Sequence, residues 1–406
     1  MNLSYFISKR IRHHEPGGFG STVHKIAIIT IGVGLGAAII SFLIMRGFQA
    51  TVKNKIYGFS GHLLINRLTL NNSLEETPMD INMELFRNYR QFKGIRHMQE
   101  YAHKAGLIKT DDAVLGVLLK GVGRTYDTLM FHSNMVEGRF IQFPDSGYSG
   151  EVLISRLIAE KLNITVGDQI MVHFFQNPPR FRKLRVVGLY ETNLSEYFDS
   201  KVILCDIRLI ARLNDWADSI AGGIEVFLSD EVYAEKIEAQ LSEMIDYDLN
   251  IYSVKDKYIQ VFEWLQLLSR QVNILLVIIL SVICVNMISI ILILVLERTQ
   301  MIGVLKALGA TNAFIRWIFI YHGARLLGRG MLLGNFIGLG FCFVQHRFRI
   351  IELNPKDYYM SYVPVGWDWP LVIILNLITF LVVAVVLMVP TALVSRIQPI
   401  KAIRFD

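Results

Sequence analysis

Four apolar runs set the plan of the chain, at residues 26–45, 271–296, 314–344 and 371–389, with one long mixed stretch after the first and short polar breaks between the others. The second run is the cleanest. Between residues 271 and 296 there is no Asp, Glu, Lys, Arg or His, and that length exceeds the roughly 20 apolar residues that cross a hydrocarbon core of about 30 Å. Such a run predicts a tilted transmembrane helix. Directly after it, Glu297-Arg298-Thr299-Gln300-Met301-Ile302-Gly303-Val304-Leu305-Lys306-Ala307-Leu308-Gly309-Ala310 places Met301, Val304, Leu305 and Leu308 on one helical stripe. Arg298 and Lys306 fall off that stripe, and Gly309 stands where a helix stops. The pattern predicts a short amphipathic helix lying under the membrane.

At the start of the chain Leu3, Phe6, Ile7 and Ile11 recur at helical spacing among Lys9, Arg10 and Arg12, which predicts a basic interfacial helix. A cleaved signal peptide fits less well. The run at 26–45 is longer than an ordinary signal core, and Met45-Arg46-Gly47-Phe48-Gln49 lacks a small-x-small cleavage site.

The stretch 51–265 holds most of the turn chemistry and acidic residues and no run long enough to span. Residues 61–66 and 113–121 read as strands, 83–92 and 233–245 as helices. Residues 151–155 lead into a helix ending near Asn163; Val166-Gly167-Asp168 then turns into a strand at 169–175, with 182–190 as its hairpin partner. The fold class is therefore an α+β integral membrane protein: four transmembrane helices with a large mixed α+β extracytoplasmic domain between the first and second.

Within the spans a few positions break the apolar pattern. Residues 258–296 contain no Pro or Gly, so one helix of about 39 residues, roughly 58 Å long, can leave the domain and cross the membrane unbroken as a rod that transmits force. Asn273 and Asn286 on it are expected to face other helices. In the third span His322, Arg325 and Arg329 recur at three- and four-residue spacing, which predicts one shared face. Buried charge there costs at least about 2.5–3.5 kcal/mol per residue, and the spans offer no Asp or Glu partner. They either line an intramembrane cavity between two subunits, hold a lipid phosphate, or snorkel to the surface; the count from Phe314 favours a functional role. Gly330, Gly334 and Gly338 form a small-x-x-x-small ridge for helix packing, and Gly32, Gly34 and Gly36 read the same way, since no strand precedes them to make a dinucleotide fingerprint. Trp367 and Trp369 mark a membrane interface before the last span.

Composition narrows the class. Hydrophobic residues make up 52% of the 406 and mean hydropathy is +0.40, values that fit a membrane part plus one sizeable domain. The net charge of +6 calls for no nucleic-acid partner. Lys9, Arg10, Arg12 and Lys25 precede the first span, and Arg396, Lys401 and Arg404 follow the last, so the positive-inside rule puts both termini in the cytoplasm. Cys205, Cys284 and Cys342 come singly, without zinc or disulfide spacing. His97, His103, His132, His173, Asp111, Asp112 and Asp145 have neither metal spacing nor a nucleophile motif beside them. The sequons at Asn71, Asn163 and Asn193 carry no weight if the organism is bacterial. With no G-x-x-x-x-G-K-[ST], the chain does not cradle nucleotide phosphates itself. The expectation is a non-enzyme that binds no cofactor or metal.

The segment from Glu297 to Ala310 resembles the coupling helix of ABC-transporter permeases of the MacB/FtsX superfamily, which read roughly E-R-x-x-x-I-G-x-L-K-A-x-G-A after the second span. Many members carry a glutamate where Met301 stands, a change the lipoprotein-releasing branch tolerates. Ser155, Ala159 and Leu162 with Val166-Gly167-Asp168 resemble the MacB-type periplasmic core. Met45 to Gln49 is similar to the family's M-N-G-F turn, Glu196-Tyr197-Phe198-Asp199-Ser200 to an E-x-D segment of LolC/LolE-like members, and the terminus from Pro399 to Arg404 to the closing P-x-x-A-I/L-R tail. The resemblance covers essentially the whole chain and is nearest the LolC/LolE-like lipoprotein-releasing permeases.

That resemblance implies a division into a cytoplasmic amphipathic interfacial helix (1–25), transmembrane helix 1 (26–48), a periplasmic MacB-like core domain (49–265), transmembrane helix 2 (266–296), a cytoplasmic coupling helix (297–312), transmembrane helix 3 (313–345), a short periplasmic loop (346–369), transmembrane helix 4 (370–390) and a cytoplasmic tail (391–406). It implies an inner-membrane, multi-pass permease that works by mechanotransmission, with ATP and Mg held on a separate ABC ATPase dimer. Glu297, Arg298, Ile302, Gly303, Leu305, Lys306, Leu308 and Gly309 would couple to that ATPase. A second permease subunit, identical or not, membrane lipids, a lipoprotein cargo and a periplasmic carrier are the further partners implied. Carrier-recruiting members lengthen the hairpin after V-G-D; here Pro178, Pro179, Arg180 and Phe181 form a short one, leaving open whether this subunit recruits the carrier. Two other activities occur in the superfamily: a MacB-like efflux or export motor, and an FtsX-like signalling scaffold for a cell-wall hydrolase. The scaffold usually has a smaller outer domain than the one here.

Overall fold

The computed structural model describes residues 19–69, 75–110 and 113–391. The interfacial helix expected at 3–14, Asn71, Asp111, Asp112 and the tail from residue 392 lie outside the described residues. Two compact units divide the chain: one takes the described residues up to Ala50, Trp264–Glu352 and Tyr362 onward, the other Thr51–Glu263 with Leu353–Ser361. The segment 353–361, read from sequence as part of a simple loop, thus belongs to the second unit.

Four helices among the described residues are long and apolar enough to cross a membrane: Thr22–Ser60, Ile259–Glu297, Asn312–Phe348 and Trp369–Thr391, here spans one to four; the first unit holds them except for residues 51–60 and 259–263, which belong to the second. Span two is one unbroken helix. The first and third spans meet along glycine. A Cβ on Gly330 would lie 2.6 Å from Ile31 Cβ, one on Gly334 3.0 Å from the Gly32 carbonyl oxygen, and one on Gly338 3.1 Å from the Gly36 carbonyl oxygen. The four-residue ridge of span three therefore seats against span one at backbone distance, which only small residues permit. Polar side chains tie the remaining spans. Asn286 donates to Thr30 at 2.8 Å, and Asn335 and Asn376 exchange hydrogen bonds at 2.7 and 3.0 Å. Asn273 differs from its expectation: it is exposed, while Asn286 faces span one.

The second unit is a mixed sheet with helices packed on it. Its strands are β1 (Leu63–Arg67), β2 (Met79–Asp80), β3 (Ile95–Lys109), β4 (Val114–Val122), β5 (Met135–Gly138), β6 (Glu151–Ser155), β7 (Gln169–Phe174), β8 (Arg180–Tyr190), β9 (Val202–Asp206), β10 (Ile220–Ala221), β11 (Gly223–Leu228) and β12 (Leu249–Ser253). The long β3 serves two cores. Its first half pairs with β11 and joins β1 and β12, under which Leu85, Ile237 and Leu241 pack. Its second half pairs with β4 and β7, and the path β3-β4-β9-β6-β8-β7 returns to β3 as a closed ring. Ile158, Leu162, Leu209 and Leu213 from two short helices fill the core of that ring. The helix expected at 83–92 is shorter, because Asn88 leaves the helical basin (φ −111°, ψ 19°) and splits it into Glu84–Arg87 and a 3-10 turn at Tyr89–Gln91.

Candidate functional site

The handle after span two forms as Thr299–Ala307. Gly309, at φ +89°, closes it: the Gly309 N–H donates to the Lys306 carbonyl at 3.0 Å and the Ala310 N–H to the Leu305 carbonyl at 2.9 Å. This paired bonding is the Schellman stop that a left-handed residue allows. Thr311 then caps span three by accepting from the Phe314 N–H at 3.2 Å. The chain therefore stops one helix and starts the next within four residues, which fixes the angle at which the handle is held.

The handle's apolar residues divide differently from the stripe read off the sequence. Ile302 and Gly303 are buried, and Met301 and Leu305 pack with them against a cluster that includes Val23, Leu294, Ile315 and Phe319. Val304 (50% exposed) and Leu308 (79%) point the other way. Gln300 and Ala307 complete that outer face, with Gly309 beyond it. Among the residues assigned to coupling, Ile302 and Gly303 seat the handle on its own spans. Leu308 is on the free face, as are Val304, which the stripe included but the coupling assignment did not, and Ala307, which neither included. Helical spacing could not tell them apart, because a nine-residue helix with apolar groups on most sides has no single face until its neighbours are placed. Glu297 is exposed beside it, while Arg298 and Lys306 are half-buried.

The basic trio of span three is not brought together on one surface. His322 is buried, its Nε2 2.6 Å from Nε2 of His24, with the two rings edge to face. Arg325 is half-buried and Arg329 exposed. Helical geometry keeps the three within about 60° of one another round the helix; their neighbours differ, with His24 against His322 and Arg329 left exposed. Depth changes as well. Arg46 pairs with Asp368 at 3.4 Å, and Trp367 stacks on Trp369 with His346 against its edge, which marks one membrane face. About 20 residues inward lie Ile26 on span one and Arg325 to Leu326 on span three. Measured from that face, the first turns of span three, which carry the Trp317–Tyr321 ring pair, fall beyond a core of this thickness. Counting depth from Phe314 therefore overstates it: Arg325 sits at the edge and Arg329 about one turn, roughly 6 Å, inside.

At the β7–β8 hairpin Pro178 and Pro179 are exposed, as are Phe175 (75%) and Phe181 (61%). Arg180 is engaged: it pairs with Asp215 at 2.8 Å and donates to the Leu213 carbonyl at 2.9 Å, while Gln176 donates to that same carbonyl at 3.0 Å. The hairpin base is thus tied to the helix Ile207–Leu213, and its tip presents apolar rings. Asp199 of the E-x-D segment also serves the fold. It is 3% exposed and accepts from the N–H and hydroxyl of Thr192; burial pushes its carboxyl above the usual range, and the Thr192 bonds partly offset this.

Three arrangements lay beyond the sequence. Lys55 donates to the carbonyls of Thr192 and Tyr359, both at 2.7 Å, joining three distant segments. Gln345, 2% exposed, donates to the Ile351 and Val363 carbonyls and so holds both ends of the outer loop. A Cβ on Gly47 would lie 2.5 Å from Gly366 N, so the loop crosses span one where no side chain stands. Among the described residues no group of three or more His, Cys, Asp or Glu is placed to hold a metal.

Comparison with known proteins gives two family models along the chain: MacB-like periplasmic core domain over residues 26–244 and FtsX-like permease C-terminal over 273–399. A lipoprotein-releasing system transmembrane protein LolC of Neisseria meningitidis is 24% identical, over 98% of this chain and 97% of its own. LolE of Haemophilus influenzae is 23% identical over 99% of each chain. A LolC of Xylella fastidiosa is 22% identical over 100% of this chain and 99% of its own. Among solved structures, the periplasmic region of MacB from Actinobacillus actinomycetemcomitans aligns over 51% of this chain and 95% of its own, at 17% identity and a TM-score of 0.36.

Proposed function

This chain belongs to the permeases that join a MacB-like periplasmic core domain to an FtsX-like C-terminal region, and on that premise we propose that it extracts lipoproteins from the inner membrane for transfer to the outer membrane. It is an ABC-transporter permease of the bacterial inner membrane, with a periplasmic domain after its first span. The observation that carries the finer reading is the end-to-end alignment, over 98–100% of the chain, with relatives named as lipoprotein-releasing transmembrane proteins.

In this reading both termini and the handle are cytoplasmic, and two permease subunits sit on an ATPase dimer that holds ATP and Mg. The outer face of the handle, Val304, Ala307 and Leu308, rests in a groove of the ATPase. Ile302 and Gly303 fix the handle to the spans, so that ATPase closure moves the spans rather than bending the handle. Span two, continuous from Ile259 to Glu297, carries that displacement outward. The exposed hairpin tip with Phe175 and Phe181 is the surface that meets a carrier. Histidine and carboxylate chemistry plays no part; the chain converts a push into release of an acylated cargo.

The test uses membrane vesicles holding this chain and its ATPase. ATP should release a triacylated lipoprotein into the soluble fraction when purified carrier is added. ATP hydrolysis without release would overturn the reading and move a MacB-like export motor, driving an outer-membrane duct, into its place.

A further inference from the structure

We infer that the flank between spans one and three holds the phosphate of an anionic phospholipid in the leaflet on the handle's side, with Lys25 and Arg329 as its ligands. The placement follows from the glycine seam. Leu333 lies over Gly32, the nearest atom to a Cβ there at 2.8 Å, and Ile337 lies over Gly36 at 3.2 Å. Both contacts repeat at four-residue steps on both helices. One further step puts Arg329 at the level of Ile28, on the same flank, a single turn above Lys25. Lys25 and Arg329 are both exposed. By the depth argument they straddle the edge of the hydrocarbon core, Lys25 just outside it and Arg329 just inside, which is the band that lipid phosphates occupy.

The chemistry of the surroundings selects the occupant. Among the described residues neither span one nor span three carries an Asp or Glu, and span two has only Glu263 and Glu297, at or beyond its two ends. A second copy of this chain packed here would set cation against cation. Toward the bilayer centre the exposed side chains become apolar: Ile29 and Val33 on span one, Leu332 and Phe336 on span three. Two cations at the edge and an apolar face above them match a phosphate headgroup joined to acyl chains, and a soluble phosphate leaves that apolar face bare. Arginine and lysine also share the work in a fitting way: the guanidinium fork grips phosphate oxygens while the ammonium supplies a point charge.

The experiment takes the full chain with its ATPase partner, reconstituted in nanodiscs of phosphatidylethanolamine with a minor fraction of phosphatidylglycerol, and reads retained lipid by native mass spectrometry. Wild type should retain phosphatidylglycerol over phosphatidylethanolamine. The pair Lys25→Gln with Arg329→Gln should lose that preference by about thirtyfold, the scale of two basic side chains at an anionic surface, and Arg329→Lys should keep most of it. Unchanged retention in the double variant would overturn the inference. A second arm does not depend on that variant's folding: a benzophenone amino acid in place of Ile29 in the otherwise native chain should, on irradiation, add the mass of a phospholipid. Cross-linking to another polypeptide instead would show that the flank is a subunit interface and overturn the lipid assignment.

Discussion

Lys120 and Glu225 form an ion pair at 2.6 Å with side chains 1% and 2% exposed, between two central strands of the sheet unit. Lys120 also donates to the Phe59 carbonyl at the end of span one and lies 4.7 Å from the Phe59 ring centroid, while Gln99 donates to the other Glu225 oxygen at 2.7 Å. Each charge is compensated, so removing one leaves the other buried alone. Lys120→Met is expected to destabilise the domain by about 3–5 kcal/mol. Lys120→Met with Glu225→Gln should recover much of that loss. Thermal unfolding of the detergent-solubilised chain measures both; equal destabilisation by the single and double variants would refute the pairing argument.

His62 makes the domain sensitive to acid. Its ring stacks on Tyr57 at 4.2 Å, and its Nδ1 accepts from the Leu228 N–H at 3.2 Å. Burial first, then the nearby Arg96 charge, lower its pKa from 6.5 to about 4. The sign follows: between those values the unfolded chain binds a proton that the folded one refuses, so stability falls as pH drops from 6.5 towards 4. The loss approaches roughly 3 kcal/mol if the whole shift is expressed. His62→Gln, which keeps an acceptor but does not titrate, should flatten that acid limb in pH-dependent unfolding, and an unchanged slope would assign the acid loss elsewhere.

The glycine seam gives a steric prediction. Gly334→Leu places a Cβ 2.9 Å from Leu35 Cβ and 3.0 Å from the Gly32 carbonyl oxygen, so spans one and three must separate. Overpacking of this kind costs about 1–3 kcal/mol. Gly340→Leu, where a Cβ meets nothing within 4 Å, should be silent. Cysteine pairs across the seam report the outcome: oxidative cross-linking should fall for the first variant and hold for the second.

What could be read from the sequence follows from the range of the interaction. The spans and the handle were legible because a charge-free run of fixed length, and a glycine after a periodic segment, are local signals. The seam at Gly330, Gly334 and Gly338 was legible for the same reason. Lys120 with Glu225 was not, because their strands are joined only through β3 and lie 105 residues apart; the available hint was one opposite charge in the middle of each of two apolar strands. The depth of Arg329 failed for a related reason. A helix that continues past the membrane has no sequence mark at the boundary, and only its packing against span one supplies a ruler.

If the handle couples to an ATPase as proposed, its two faces separate coupling from assembly. Ile302, fully buried, contacts the same cluster as Leu294, Ile315 and Phe319, so Ile302→Asp buries a charge among apolar groups and should reduce the amount of folded chain in the membrane. Leu308 is 79% exposed, and surface substitutions away from packed features shift stability by only about ±0.5 kcal/mol. Leu308→Asp should therefore leave expression, insertion and thermal unfolding unchanged while an ATPase groove shaped for an apolar knob rejects it. In vesicles with the ATPase present, ATP hydrolysis should continue at its uncoupled rate and cargo release should fall at least about tenfold, the cost of one misplaced apolar contact of about 1.4 kcal/mol. Val304→Asp, one turn away on the same face, should do the same. If Leu308→Asp and Val304→Asp release cargo as wild type does, the outer face of the handle is not the coupling surface, and the search moves to the exposed Glu297 and Gln300 at its other end.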